Sequence, residues 1–326
     1  MNIMIYNVNT ASKYMKPIIT IVTPSYNQGQ YIERTIQSIL VQEGDFYIDY
    51  IIQDGGSKDG TLRIINKYQN LLKENCDQVK IKNLTYFVSK HDKFKYNKCL
   101  GISYRWSSKK DDGQVDALLK GFDKSQGNIF NWLNSDDVFF NERVFETIIT
   151  LFNKNSKLDL ITADGNLIDK NDKIIGQMII PKINLNELIY LDYHVLQPST
   201  FITRYLYQNN KKYLDKNMKC AFDALFYTHI FKSKTQYVKL KKILSCYRFY
   251  PEIKTLSLSD TRYKEQMKIT LSVSLNPFLI LLSGIYRYLE IVLKPKIQNR
   301  YFQSFFNFFK KFSYLVVTGQ SDRIYE

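Results

Sequence analysis

The chain has 326 residues, of which 44% are hydrophobic and 15% aromatic, with 13 Gly and 7 Pro. That composition suits a globular protein with its own core and excludes a disordered or linker-dominated chain. A formal net charge of +15 calls for an anionic partner, which charge alone leaves open among nucleic acid, a phosphorylated ligand and an anionic membrane.

"PIITIVTPSYN" opens with the β-branched run Ile18 to Val22 and meets Pro24. It predicts a buried parallel strand that ends in a loop. "QYIERTIQSILVQ" follows, with Ile32, Ile36, Ile39 and Leu40 at helical spacing. "DYIIQDGG" predicts a second strand ending in a Gly-rich turn, and "SKDGTLRIINKYQNLL" a second helix. "LTYFVSK" is a third strand, "QVDALLKGFDKS" a further helix and "GNIFNWLNSDD" a fourth strand with its loop. The polar stretch "SYRWSSKKDDGQ" reads as a mobile loop around Trp106. Alternating strands and helices predict an α/β fold, a mostly parallel sheet flanked by helices. In such sheets ligands bind beyond the carboxyl ends of the strands. Thr23 to Asn27, Asp54 to Ser57 and Asn134 to Asp137 all fall there, so three loops can share one crevice.

Each loop has two local readings. Asp54 with Gly55 and Gly56 is either a ligand-facing turn or a plain strand-to-helix turn capped by Ser57. Asp136 and Asp137 either cap a turn or hold a divalent cation through oxygen ligands. Cys76, Cys99, Cys220 and Cys246 form no CxxC pair, so no zinc site is readable. No signal peptide is evident at the start, and a reducing cytosol is expected, with disulfides absent. His91, His194 and His229 do not group, and Trp106 and Trp132 read as packing residues more readily than as sugar platforms.

Four blocks carry a family resemblance: "ITIVTPSYNQGQYIERTIQSILVQ", "IIQDGGSKDGT", "DDGQVDALLKGFDKSQGNIFNWLNSDD" and "LQPSTFITR". In order and spacing they resemble the family 2 glycosyltransferases of GT-A fold, and among these the bacterial enzymes of surface-polysaccharide and O-antigen synthesis. The resemblance covers roughly residues 16 to 250. It implies that Thr23, Pro24 and Tyr26 pack on the nucleoside and that Asp54 reads the base. Asp116 and Lys120 match donor-side positions. Asp136 matches the metal-binding aspartate of the Asp-x-Asp element, with Asp137 its acidic neighbour. Gln197 and Pro198 fall on the acceptor side, and Asp223 matches the catalytic base. The implied reaction is inverting transfer from a nucleotide sugar, most simply a UDP-sugar with Mn2+ or Mg2+, to a hydroxyl of a glycan or lipid-linked acceptor. This chain departs from the family pattern at Asn134, where the element usually begins with Asp, and at Leu119, Leu225 and His229. A catalytically inactive, membrane-associated scaffold of the same fold is the alternative those departures leave open. A nucleic-acid partner is not expected, because Asp54, Asp116, Asp136 and Asp137 would repel a polyanion where ligands bind.

After about residue 255 the α/β rhythm ends, dividing the chain into a transferase domain at 16–250 and a helical, basic-aromatic extension at 255–326. The uncharged run Ile269 to Tyr286 reaches the lower length for a membrane span, but Asn276 and Pro277 interrupt it. In "YFQSFFNFFKKF", Tyr301 to Phe312, the aromatics fall on one arc at about 100° per residue. Residues 294–312 therefore read either as a helix lying in an anionic membrane interface or as a helix docked on the core. The first reading places the protein in the cytoplasm, peripheral on the inner face of the cell membrane.

Overall fold

The computed structural model describes residues 16–81, 83–251, 258–293 and 300–320. Its first half winds strands and helices alternately: β1 (Ile18–Ser25), α1 (Ile32–Leu40), β2 (Glu43–Asp54), α2 (Thr61–Asn75), β3 (Cys76–Ile81), β4 (Leu84–Ser89), β5 (Lys98–Ser108), α3 (Gln114–Asp123) and β6 (Ile129–Trp132). Then come β7 (Val138–Phe139), α4 (Val144–Lys154), β8 (Leu160–Ile168), β9 (Ile174–Met178), α5 (Leu185–Tyr190), β10 (Phe201–Thr203), α6 (Arg204–Asn210), α7 (Phe222–Lys232) and β11 (Tyr237–Arg248).

The strands form one sheet in the order β3-β4-β5-β2-β1-β6-β10-β8-β11-β7, with β9 on β8. Its centre, β5-β2-β1-β6, is parallel throughout. Antiparallel pairings dominate both wings, at β3-β4-β5 on one side and around β10, β7 and β9 on the other. Every residue of β1 is buried, as a strand covered on both faces requires. Alternate side chains divide between two cores. Ile19 and Ile21 face α1, α2 and α4. Val22 faces α3, α6 and α7. The predicted stripe Ile32, Ile36, Ile39 and Leu40 is fully buried. Helix α3 lies so close to β1 that a Cβ on Gly121 would come within 2.4 Å of Val22 Cγ1, so the crossing has room for hydrogen alone.

The sequence reading errs at residues 103–108. These are no mobile loop but the end of the fourth strand of the parallel centre, which pairs with β2 from Glu43↔Lys98 to Asp54↔Ser108, while 109–113 do form a loop. The polar residues misled because their hydrogen bonds run to the neighbouring strand and the helix over it: Ser107 Oγ donates to Gln53 of β2 at 2.9 Å and Trp106 Nε1 to Gln69 of α2 at 3.0 Å. Trp132 is 2% exposed and packs against Phe222, Phe226 and Tyr227.

The C-terminal extension folds as α8 (Ser259–Val273), α9 (Pro277–Leu293) and α10 (Arg300–Thr318). The uncharged run is broken at residues 274–276, where α8 ends and Pro277 begins α9. Among the described residues, no helix is long and apolar enough to cross a membrane. Leu282, Tyr286, Tyr314 and Val317 pack α9 and α10 onto Ile189, Tyr190 and Leu191 at the end of α5. Ile269 of α8 joins the core around α7. Residues 294–299, the basic start of the amphipathic stretch, lie outside the described residues.

Candidate active site

The parallel centre ends on one edge, in register. Ser108 of β5 pairs with Asp54 of β2, Asp54 with Ser25 of β1, and Val22 of β1 with Trp132 of β6. Four loops therefore leave the sheet side by side.

The loops after β1 and β2 are stitched together. Asn27 N–H donates to Ser57 Oγ at 2.7 Å, and Lys58 N–H to Asn27 Oδ1 at 2.9 Å. Gln28 N–H reaches Thr61 Oγ1 at 2.9 Å, and Gly29 N–H reaches Asp59 Oδ2 at 2.8 Å. Thr23 is fully buried beneath this turn, Pro24 lies in the buried end of β1, and Tyr26 is 61% exposed at the tip.

Asp54 is 2% exposed. Its Oδ2 accepts from Gly56 N–H at 3.0 Å, Ser57 N–H at 2.8 Å and Ser108 Oγ at 2.6 Å. Ser57 Oγ donates to Oδ1 at 2.5 Å. One carboxylate thus fixes the turn after β2 and ties it to β5. Gly56 has φ 88, a conformation that glycine adopts without steric cost.

The β5 loop leads into α3. Gly113 N–H donates to Asp111 at 3.0 Å, and Gln114 Nε2 donates to Asn134 Oδ1 at 2.7 Å, joining this loop to the one after β6. Asp116, in the first turn of α3, is 2% exposed. Lys120 lies 2.5 Å from its Oδ2, and Lys216 bonds its Oδ1. Burial alone would raise the Asp116 carboxyl, but the two ammonium groups and the Asp112 N–H outweigh it and hold the group down at about 2. Lys120 and Lys216 are each about half exposed, at 48% and 47%.

The loop after β6 separates the two aspartates in role. Asp137 is 1% exposed. It accepts from Arg248 N–H at 3.0 Å and from Asn134 Nδ2 at 3.3 Å, while its carbonyl takes the Thr35 hydroxyl at 2.8 Å. Burial, then the neighbouring Asp136 charge, pushes its carboxyl well above the usual range. Asp136 is half-buried, with Tyr250 Oη donating to its Oδ2 at 2.9 Å. Burial and the Asp136 carboxylate hold the Tyr250 hydroxyl up, so it remains a donor. The Arg248 guanidinium, 1% exposed, donates to the carbonyls of Asp136 and Asp169, both at 2.8 Å, and stacks over Tyr31. Among the described residues, no group of three or more His, Cys, Asp or Glu side chains converges. A cation here would thus rest on Asp136 and on a ligand's own phosphate oxygens, the arrangement usual for Mg2+ beside phosphates.

Helix α7 closes the far side. Phe222 packs on Trp132, with ring centroids 6.4 Å apart, and Asp223 follows in the first turn. Burial pushes the Asp223 carboxyl up to about 6, against the Ala224 N–H at 2.8 Å and the Tyr193 hydroxyl, which favour its charge. Gln197 Nε2 donates to the Trp132 carbonyl, and Pro198 and Thr200 carbonyls accept from Asn131 Nδ2 at 3.2 and 2.9 Å. The "QPS" turn is therefore built onto the end of β6. Leu119 and Leu225 are half-buried beside this core, and His229 stacks on Tyr213 at 3.6 Å. A cavity of about 270 Å3, lined by Lys16, Pro17, Asp45 and Phe46 among others, opens at the amino end of β1, away from these loops.

The sequence model for glycosyl transferase family 2 matches residues 20–231, from β1 through α7, and so takes in all four loops and Asp223. The chain belongs to glycosyl transferase family 2. Similar curated proteins include a putative teichuronic acid biosynthesis glycosyltransferase, TuaG, of Bacillus subtilis, 24% identical over 160 residues, which are 48% of this chain and 52% of that protein. An uncharacterized glycosyltransferase of Haemophilus influenzae is 25% identical over 249 residues, 72% of this chain and 64% of its own length. The chain spans about half or less of the Bacillus protein and of a Rickettsia bellii glycosyltransferase, of which 19% is matched. Among solved structures, TarS 1–349 of S. aureus in complex with UDP aligns with TM-score 0.57 and 17% identity over 93% of this chain and 81% of that one. The mannosyltransferase PcManGT of Pyrobaculum calidifontis, in complex with GDP-Man and Mn2+, aligns at 0.54 and 11% over 94% and 87%. The fold of this family 2 member is the GT-A fold.

Sequence reasoning missed Arg248, Tyr250, Gln114 and Lys216, all of which touch a site residue. "SCYRFY" held one signal, an arginine inside a strand that is otherwise apolar at its end. Lys216 had none, because its contact with Asp116 spans 100 positions.

Proposed function

We propose that the protein is an inverting glycosyltransferase. It moves a sugar from a nucleotide-diphosphate donor to a hydroxyl of a glycan or lipid-linked acceptor in surface-polysaccharide synthesis. The observation that carries this is the alignment of strand ends in the order Ser108, Asp54, Ser25 and Trp132, with Asp54, Asp116 and Asp136 in the loops that leave them and α7, which carries Asp223, packed on Trp132. The complexes of TarS with UDP and UDP-GlcNAc support a UDP-sugar as donor.

Thr23, Pro24 and the exposed ring of Tyr26 form the wall for the nucleoside, and Asp54, held rigid by four donors, orients its base. Asp116 with Lys120, and Lys216 beside them, offers half-exposed ammonium groups to the anionic donor. Asp136 would hold Mn2+ or Mg2+, with Asn134 on the donor side and Asp137 as buried support. When bound, the cation offsets the charge of the departing diphosphate. Asp223, raised toward neutrality, takes the proton of the acceptor hydroxyl as that oxygen attacks the anomeric carbon.

The extension places the enzyme on an anionic membrane surface. Phe278, Leu281, Ile285 and Tyr288 are exposed along one side of α9, as are Phe308, Phe312 and Leu315 along α10. Contiguous exposed apolar stripes mark interaction surfaces. Lys311 is exposed beside the second stripe, and the net charge of +15 makes an anionic lipid surface the fitting partner. This reading puts the protein in the cytoplasm at the inner face of the membrane.

A thermal-shift screen of UDP, GDP and CDP, each with and without Mn2+, tests the donor reading. Stabilisation by one nucleoside diphosphate that grows with Mn2+ is expected. No shift with any of the three, at millimolar ligand, would overturn it.

A further inference from the structure

Helix α7 has no side-chain cap of its own: Ala221 stands at its N-cap and cannot supply one. Yet a helix start leaves several main-chain N–H groups without partners inside the helix. The residues that lead into α7, Lys219 to Ala221, are held instead from 44 to 46 residues away. Glu265 of α8 accepts Lys219 N–H at 2.7 Å, Cys220 N–H at 2.9 Å and Ala221 N–H at 2.8 Å. It is 5% exposed, and the three main-chain donors supply the hydrogen bonds that a buried carboxyl group needs.

We infer that Glu265, carried by the C-terminal extension, is the positioning residue for Asp223, fixing the approach to α7 so that its first turn presents that carboxylate at the donor crevice. The inference rests on the reading of Asp223 as the base. It adds a role for the extension inside the catalytic machinery, because Glu265 lies beyond the family match, which ends at residue 231.

The charge of Glu265 matters as well as its grip. A helix N-terminus favours an anion and lowers the proton affinity of a carboxylate in its first turn. Here Glu265 sets its carboxylate on the three N–H groups just before that turn, and Asp223 keeps the N–H of Ala224 and of its own residue. The other groups facing Asp223 are Tyr193 after α5, Tyr227 one turn on in α7, and Arg262 of α8. Arg262 draws Asp223 toward its charged form, and a like charge at the entry to the same helix acts in the opposite sense. Gln at 265 would keep the shape but lose the charge and one acceptor oxygen, and its NH2 would confront N–H donors.

The test follows Asp223 itself in the full chain, labelled with 13C-carboxyl aspartate, with the signal assigned by its loss in Asp223→Asn. The wild-type midpoint is expected near 6, and Glu265→Gln is expected to lower it by about 0.5–1 pH units. An unmoved midpoint in a Glu265→Gln protein that still melts cooperatively overturns the inference. An ordinary midpoint for Asp223 in the wild type would instead sink the base reading, so the two failures are distinct. Amide exchange in the unaltered chain provides a check independent of any variant. Lys219, Cys220 and Ala221 are expected to exchange slowly, and exchange at the rate of an open loop would equally overturn the inference.

Discussion

Arg248 grips both members of the acidic pair: its main-chain N–H donates to Asp137 Oδ1 at 3.0 Å while its guanidinium Nε donates to the Asp136 carbonyl at 2.8 Å. The same guanidinium reaches the Asp169 carbonyl at 2.8 Å and the Asp172 carboxylate, so the turn between β8 and β9 is bound to the loop after β6. Removing it leaves two carbonyls without their donor and the Asp172 carboxylate with Arg34 alone. Arg248→Met is expected to cost about 2–4 kcal/mol in urea unfolding. Arg248→Lys should recover less than half of that, because one ammonium cannot fork between three acceptors. A loss under about 0.5 kcal/mol for Arg248→Met would show that the hub is dispensable.

Asp136 is half-buried in the loop after β6, with Tyr250 Oη donating to its carboxylate at 2.9 Å, and a half-buried loop side chain can be removed at modest cost to the fold. Asp136→Ala should unfold within about 1 kcal/mol of wild type yet lose the Mn2+-dependent part of nucleoside-diphosphate stabilisation. Transfer should fall at least about a hundredfold. Asp137→Ala should behave in the opposite way and destabilise strongly, because the buried Arg248 N–H loses its acceptor. Retention of the full Mn2+ effect in Asp136→Ala would remove this residue from the metal site.

The raised Asp223 carboxyl sets a direction for pH dependence. A base must be deprotonated to act, so kcat/KM should fall as pH drops through about 6. For stability the sign is reversed. The folded value lies above the ordinary 3.8, so the folded protein holds this proton more tightly than the unfolded chain. Protonation therefore favours folding, and that contribution fades as pH rises from about 4 through 6. Asp223→Asn should abolish turnover, leave nucleotide binding intact and remove this part of the stability profile. A rate independent of pH between 5 and 7 would show that another group accepts the proton.

The parallel centre was legible because its strands are apolar runs that each end in a polar turn, as at Val22 to Pro24 and Ile52 to Gly55. The loops beyond them followed from a topological rule, and their residues from the family resemblance. β5 was not legible, since Tyr104, Arg105, Trp106 and Ser107 look like loop residues until their partners in β2 and α2 are known. The supporting contacts were invisible for a related reason. Lys216 to Asp116, Arg248 to Asp137 and Glu265 to Ala221 each join positions at least 44 apart, and one sequence holds no period or spacing that encodes such pairs. The sequence did show that α10 is amphipathic, but not which of its aromatics the core would claim.

That division decides the last prediction. Tyr314 is 3% exposed and donates to Glu187 at 2.6 Å and Asp192 at 2.9 Å, and Phe309 is packed against the same cluster. Phe308 and Phe312 are 70% and 44% exposed and recur four residues apart, on one side of the helix. Replacing the inward residues would loosen α10 and confuse anchoring with folding. Replacing the outward pair would not. Phe308→Ser with Phe312→Ser should melt as wild type does and bind phosphatidylglycerol vesicles at least about tenfold more weakly, each ring contributing about 1–2 kcal/mol on insertion. Lys311→Gln should weaken binding less, by about 1 kcal/mol or under, and should blunt the decline of binding with added salt. If the double variant sediments with these vesicles as fully as wild type, the exposed stripe of α10 faces a protein partner and the anchor lies elsewhere.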